Sequence, residues 1–167
     1  MEPDLFSTLL HVTRTRLLRD YPAQIAACLE VLSDEEIWWR PHEQANAVAN
    51  LVLHLVGSNR YYLEQVIAGG DVGRDRAAEF AVRGGCSKTQ LVDAWEQARR
   101  AAERVLDTIQ PSQLARTTDR SGTPTTYAQV LLHVTHHNAA HMGQIVWITK
   151  LLHPGAFDDL WVKQASR

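Results

Sequence analysis

Four of the eight histidines in this 167-residue chain fall within one stretch, Leu131 to Lys150, and that stretch limits the fold more than any other. On a helix of 3.6 residues per turn, each residue sits about 100° round from the last. His137 then lies roughly 40° from His133, and His141 about as far again, so three imidazoles make one stripe. Gln144 returns to the same stripe, and His136 falls about 60° behind His133, at its edge. A helix in a core presents apolar side chains on such a face. Three imidazoles suit a face that looks onto a metal ion.

The rest of the chain also reads as helix. From Asp4 to Leu32, apolar residues such as Leu5, Leu9, Leu17, Ile25 and Leu29 recur at helical spacing. Pro22 predicts a kink or short break near Asp20 and Tyr21. Ser33 opens a short turn, SDEEIWWR, that stops before Pro41 and tucks Trp38 and Trp39 under the bundle. Asn46 is expected to cap a second helix that ends at Gly69-Gly70. Residues 71–85, rich in Gly, Arg and Asp, read as a long surface loop. Ser87 with Gln90 is a capping box that opens a third helix, which runs to about Ile109 and is followed by a short turn at Pro111-Ser112. Ala115 to Pro124 reads as plain loop in preference to a small hairpin. Thr126 with Gln129 repeats the capping box and opens the fourth helix, which carries the histidines to about Leu152 before His153-Pro154-Gly155 stops it. The tail from Phe157, with Trp161 and Val162, is expected to dock on the bundle or cross to a partner.

These elements define an all-α, four-helix bundle with short extra helical turns and a long loop between helices 2 and 3, one domain over residues 1–167. The connections after the second and third helices, about 15 residues each, permit parallel as well as antiparallel neighbours. A net charge of −2 leaves no electrostatic footprint for nucleic acid. No apolar run approaches the ~18 residues that span a bilayer, and the N-terminus lacks the order of a secretory signal. Cys28 and Cys86 are too few for a disulfide framework, so a cytoplasmic protein with reduced thiols is expected.

His137 and His141, at i and i+4, reach one ion from one helix. His133 has the same spacing to His137, and geometry alone leaves both pairings open. The third ligand must come from another helix. His54 interrupts the most apolar stretch of the chain, where a buried imidazole needs partners for both nitrogens.

Three segments, NAVANLVLHLVGSNR, RDRAAEF and LLHVTHHNAAHMGQIVWITKLL, together resemble a poorly characterised branch of the DinB/YfiT-like superfamily. The resemblance runs from about Glu36 to Leu152. It implies an up-down-down-up bundle, often dimeric, with one histidine from the second helix and two, four apart, before a Gly-Gln pair. Here those are His54, His137 and His141 ahead of Gly143-Gln144, which selects that pairing over His133. Met142 stands where relatives often carry arginine or threonine, a departure at the substrate mouth. Better-known relatives are thiol S-transferases and a thiol-dependent maleylpyruvate isomerase. The DinB name records induction by DNA damage, and nothing in this chain suggests DNA binding.

The expectation is therefore a metal-dependent enzyme with a divalent ion, zinc or nickel, on three histidines with open positions. It acts as a thiol S-transferase or hydrolase on a small molecule, with a low-molecular-weight thiol as co-substrate and a homodimer as its assembly. No glutamate stands beside the HxxxH pair, which disfavours peptide hydrolysis and favours thiolate chemistry. His133, one turn from His137, is placed to orient a ligand or shuttle a proton, and Asn50 and Gln144 to hold a ligand histidine or bound water. Arg40, Arg60, Arg74 and Arg76 are candidates to meet an anionic substrate. The rivals are a bundle that binds a metal or small molecule without catalysis, and a structural ion with function in dimer contacts.

Overall fold

The computed structural model describes residues 4–156, so the tail from Phe157, with its expected docking, lies outside the described residues. The first rod is continuous: α1 (Leu5–Thr15) passes through wider π turns at Arg16–Asp20 into α2 (Tyr21–Val31). The break expected at Pro22 is absorbed by this widening. Proline has no N–H, and its ring clashes with the carbonyl four residues back in a regular helix. Here the Tyr21 N–H donates five residues back, to Arg16. After a 3-10 turn at Glu36–Trp38, the second rod runs as α3 (Val48–Asn59) and a π segment, Arg60–Ile67. Trp38 is tucked in and donates its indole N–H to the Cys86 carbonyl, whereas Trp39 is exposed. Asn46 does not cap α3. The cap position is Ala47, whose N–H donates to the Asn50 side chain.

Residues 71–85 are not simply loop. They contain a six-residue helix, α4 (Arg76–Ala81), capped by Asp75, whose carboxylate accepts from the Ala78 N–H. The third rod is α5 (Lys88–Thr108) and the fourth α6 (Tyr127–Leu152), both opened by the capping boxes at Ser87 and Thr126. Between them, β1 (Thr117–Arg120) and β2 (Thr123–Thr126) form an antiparallel hairpin where loop was expected. Its two-residue turn puts Ser121 and Gly122 at φ 50° and 82°, the left-handed values that a tight hairpin demands. Thr118 anchors it by donating to the Val66 carbonyl at the end of the second rod.

Two core clusters set the direction of each rod. One gathers Leu10 and Leu17 of the first rod, Leu63 and Val66 of the second, Val105 and Leu106 of the third and Val130 and Leu131 of the fourth. The other gathers Ile25 and Leu29, Leu51 and Leu55, Leu91 and Trp95, Ile145 and Ile148. The first and fourth rods therefore run from the first cluster to the second, and the second and third run back. The order is up-down-down-up. The parallel second and third rods need a crossover from one end of the bundle to the other, and residues 68–87 supply it.

Candidate metal centre

α3 and α6 pack on one another, and the histidines sit on their facing sides between the two core clusters. His54 comes from α3, and His137 and His141 from α6. Their ring centroids stand 4.9, 4.9 and 4.6 Å apart, with planes 69° to 84° from one another. The rings thus form a nearly equilateral set, each edge-on to the others. One nitrogen from each lies within 4.8 Å of the other two.

The outward nitrogens decide what the inward ones offer. His54 Nδ1 is 2.8 Å from Glu79 Oε2 and 3.2 Å from Arg74 Nη2. The carboxylate only accepts, so the shorter contact assigns the proton to Nδ1 and leaves the Nε2 lone pair pointing inward. His141 Nδ1 donates to Gln144 Oε1 at 2.8 Å, which again leaves Nε2 free. Ser58 Oγ lies 3.4 Å from His137 Nδ1, while His137 Nε2 is 3.0 Å from His54 Nε2. Ring nitrogens this close need a cation or a proton between them. A tetrahedral zinc, with Zn–N about 2.0–2.1 Å, sets its ligand nitrogens roughly 3.3 Å apart. The residues present therefore fit a divalent ion. Burial, aided by His141 and His54, pushes His137 down to about 3, and burial also lowers His141 against the Gln144 hydrogen bond. Both are neutral at neutral pH, the form that ligates.

Glu79 is the residue that the sequence did not single out. It arrives on α4, from the segment read as surface loop. Arg74 clamps it with Nε to Oε1 at 2.7 Å and Nη2 to Oε2 at 2.9 Å. Burial raises its pKa, but Arg74 and His54 outweigh this and hold the carboxyl below its ordinary range. A carboxylate on the outer nitrogen of a ligand histidine fixes the ring and strengthens the ligand. Gly57, one turn beyond His54, leaves room for it: a Cβ there would stand 2.0 Å from Glu79 Oε1. The Asn50 side chain hydrogen-bonds to none of the three histidines. Its amide donates to the Glu79 and Val82 carbonyls at 3.1 and 2.9 Å, and so pins α4 over the site. A carboxylate in a short Arg-Ala-Ala-Glu-Phe run, with a glycine one turn from a buried histidine, was the available signal.

His133 lies beside the cluster, stacked on His137 at 5.4 Å and 17° and packed against the Tyr62 ring at 4.5 Å. Burial, with Arg120 and His136, lowers its pKa. It lines a cavity of about 700 Å³ together with His54, His137, Tyr61, Tyr62 and Arg74. Of the other arginines considered from the sequence, Arg76 lines this cavity, Arg60 pairs with Glu64, and Arg40 reaches Asn50. His136 and His153 stay apart, on the Leu132 carbonyl and Glu36.

The up-down-down-up arrangement of the rods is a DinB-like helical-bundle fold. The chain itself belongs to the family described as a protein of unknown function, DUF1572, whose sequence profile matches residues 6–166. Solved structures agree on the fold. A conserved protein of Enterococcus faecalis aligns with TM-score 0.69 at 18% identity, over 84% of this chain and 95% of that one. A DinB-like protein of Bacillus subtilis aligns with TM-score 0.64 at 18% identity, over 84% and 92%. A DinB-like protein of Bacillus cereus aligns with TM-score 0.62 at 16% identity, over 81% and 90%. No curated protein matches the chain. Among the described residues, no helix is long and apolar enough to cross a membrane.

Proposed function

We propose that this protein is a metal-dependent enzyme that joins a low-molecular-weight thiol to an electrophilic small molecule. The observation that carries this reading is the convergence of His54, His137 and His141 on one point, beside a cavity large enough for a small-molecule substrate. His54, His137 and His141 would hold a divalent ion, zinc or nickel, which would supply Lewis acidity to lower the pKa of a thiol toward neutral pH. Glu79 and Gln144 hold the His54 and His141 rings in place. His133, neutral and on the cavity wall, orients the substrate or accepts a proton.

Hydrolysis at the same site is the alternative. Both Glu79 oxygens are taken by Arg74 and His54, so this carboxylate is not free to act as a general base on water. A thiol, with a pKa of about 8.5, needs far less help than water at about 15.7. That favours the thiol. Leu132, Trp147 and Leu151, exposed on one side of α6, support a homodimer, which sedimentation of the full chain would test.

The deciding experiment is elemental analysis of the full chain purified from its own host, followed by a panel of low-molecular-weight thiols and electrophiles. One ion per chain and metal-dependent consumption of thiol are expected, both lost in His54→Ala. A tightly held ion whose fourth position is closed to exchange, without turnover, would make the metal structural. Turnover that survives complete metal removal would overturn the reading.

A further inference from the structure

We propose that Arg76 and Arg120 form a docking point for an anionic group, a carboxylate or phosphate, on the small molecule that this cavity takes. This names the substrate class for the function proposed above, and rests on that reading only in calling the ligand a substrate.

Three guanidiniums line the cavity, from Arg74, Arg76 and Arg120, and among the described residues no carboxylate does. Arg74 is answered by Glu79 from behind the histidines. Arg76 and Arg120 have no carboxylate partner among the described residues, a state they share with Arg40, Arg83, Arg104 and Arg116, but only these two of the six line this cavity. Both are nonetheless held in place. The Arg76 guanidinium lies 5.2 Å over the Phe80 ring, which packs against His54 at 4.5 Å. The Arg120 guanidinium lies 4.8 Å over the Tyr62 ring, which packs against His133.

A guanidinium over a ring keeps N–H donors for an oxyanion. Arg120 also meets the Tyr62 hydroxyl, which leaves its remaining N–H groups for the ligand. Arg76 is linked to His54 through the Phe80 ring, and Arg120 to His137 through the Tyr62 and His133 rings, so an anion held there keeps the rest of its molecule within reach of the cluster. Charge makes the same demand. Two unanswered cations beside a point suited to a divalent ion repel one another and that ion, and an anionic ligand relieves both repulsions. The arginines come from different connections, Arg76 from the crossover and Arg120 from the hairpin tip, so they grip from two sides. Ser121, whose hydroxyl lies 2.8 Å from Tyr61 OH, ties that tip to the second rod.

The test is calorimetric titration of the full chain with succinate and with inorganic phosphate, succinamide serving as the uncharged control, at fixed ionic strength. Saturable binding of at least one anion is expected, weakened about tenfold or more by Arg76→Gln and by Arg120→Gln. Arg104→Gln, which removes an exposed arginine outside the cavity, is expected to leave it unchanged. The stronger of the two anions identifies the source of the charge. Heats no larger than those of succinamide overturn the proposal. Equal weakening by Arg104→Gln overturns it as well, because the effect is then one of net charge. Circular dichroism and elemental analysis accompany each variant, and loss of metal in Arg76→Gln or Arg120→Gln would assign these residues to the metal site instead. The same titration after metal removal separates the two readings. Arginine-dependent binding that persists after metal removal shows the anion site to stand apart from the ion. The same binding by a chain that as purified takes up no metal and turns over no thiol would sink the enzymatic reading and leave the anion site standing.

Discussion

The α3–α6 interface carries two polar layers almost in contact, and they differ in one respect. Asn59 and Asn138 exchange side-chain hydrogen bonds at 3.2 and 2.7 Å, and Asn138 also donates to the Val134 carbonyl. Both are buried, and the pair closes on itself. His137, the residue before Asn138, belongs to a layer that does not close. Its outer nitrogens are occupied by the protein while the inner ones converge on each other. A buried polar group that finds all its partners within the chain serves packing and register. One whose free lone pairs meet at a point could hold a metal ion. Neighbouring positions on one helix have thus been given opposite tasks, and substitution at each should fail in a different measurement.

The largest effect is expected from His137→Ala, which should take metal content from one ion per chain toward none while the metal-free protein unfolds at nearly the wild-type denaturant concentration. Asn138→Ala should reverse that pattern: metal retained, but stability lowered by about 2–3 kcal/mol in urea unfolding, because the Asn59 amide is left buried and unpaired. Loss of metal in Asn138→Ala with stability unchanged would erase the distinction. His133→Ala sharpens it from the side of chemistry, with turnover expected to fall about 100-fold or more at unchanged metal content. Glu79→Gln should weaken metal about 10–100-fold in competition with a chelator. Gly57→Ala should do likewise by pushing the carboxylate off His54, yet its unfolding should move little, since alanine favours the helix by about 1 kcal/mol. Gln144→Ala, at an exposed position, should give the smallest change, about tenfold or less in metal affinity.

The rods were legible because periodicity and capping residues act locally. Ser87 with Gln90, and Thr126 with Gln129, cap where the sequence places them. Their directions were not legible, since connections of about 15 residues permit either sense, and the resemblance supplied what spacing left open. The histidines stood out because imidazole is costly to place in an apolar run without partners. Glu79 did not, because a six-residue helix is too short to show a period and its partner in sequence, Arg74, makes the pair look like solvated surface. The hairpin was missed for a similar reason. Its four-residue strands are polar, and what orders them is the distant Val66 carbonyl and Tyr61 hydroxyl.

The crossover that lets two adjacent rods run the same way also brings Arg74, Arg76 and Glu79 to the cluster, and the hairpin contributes Arg120 from the other long connection. The rods hold the imidazoles, and the connections hold nearly every charge around them. On the proposed reading, this chain would change what it takes by rewriting two short segments together with the α3 residues Asn50 and Gly57 that seat the crossover. Grafting the crossover and hairpin of another such bundle onto this one is the natural route to altered selectivity.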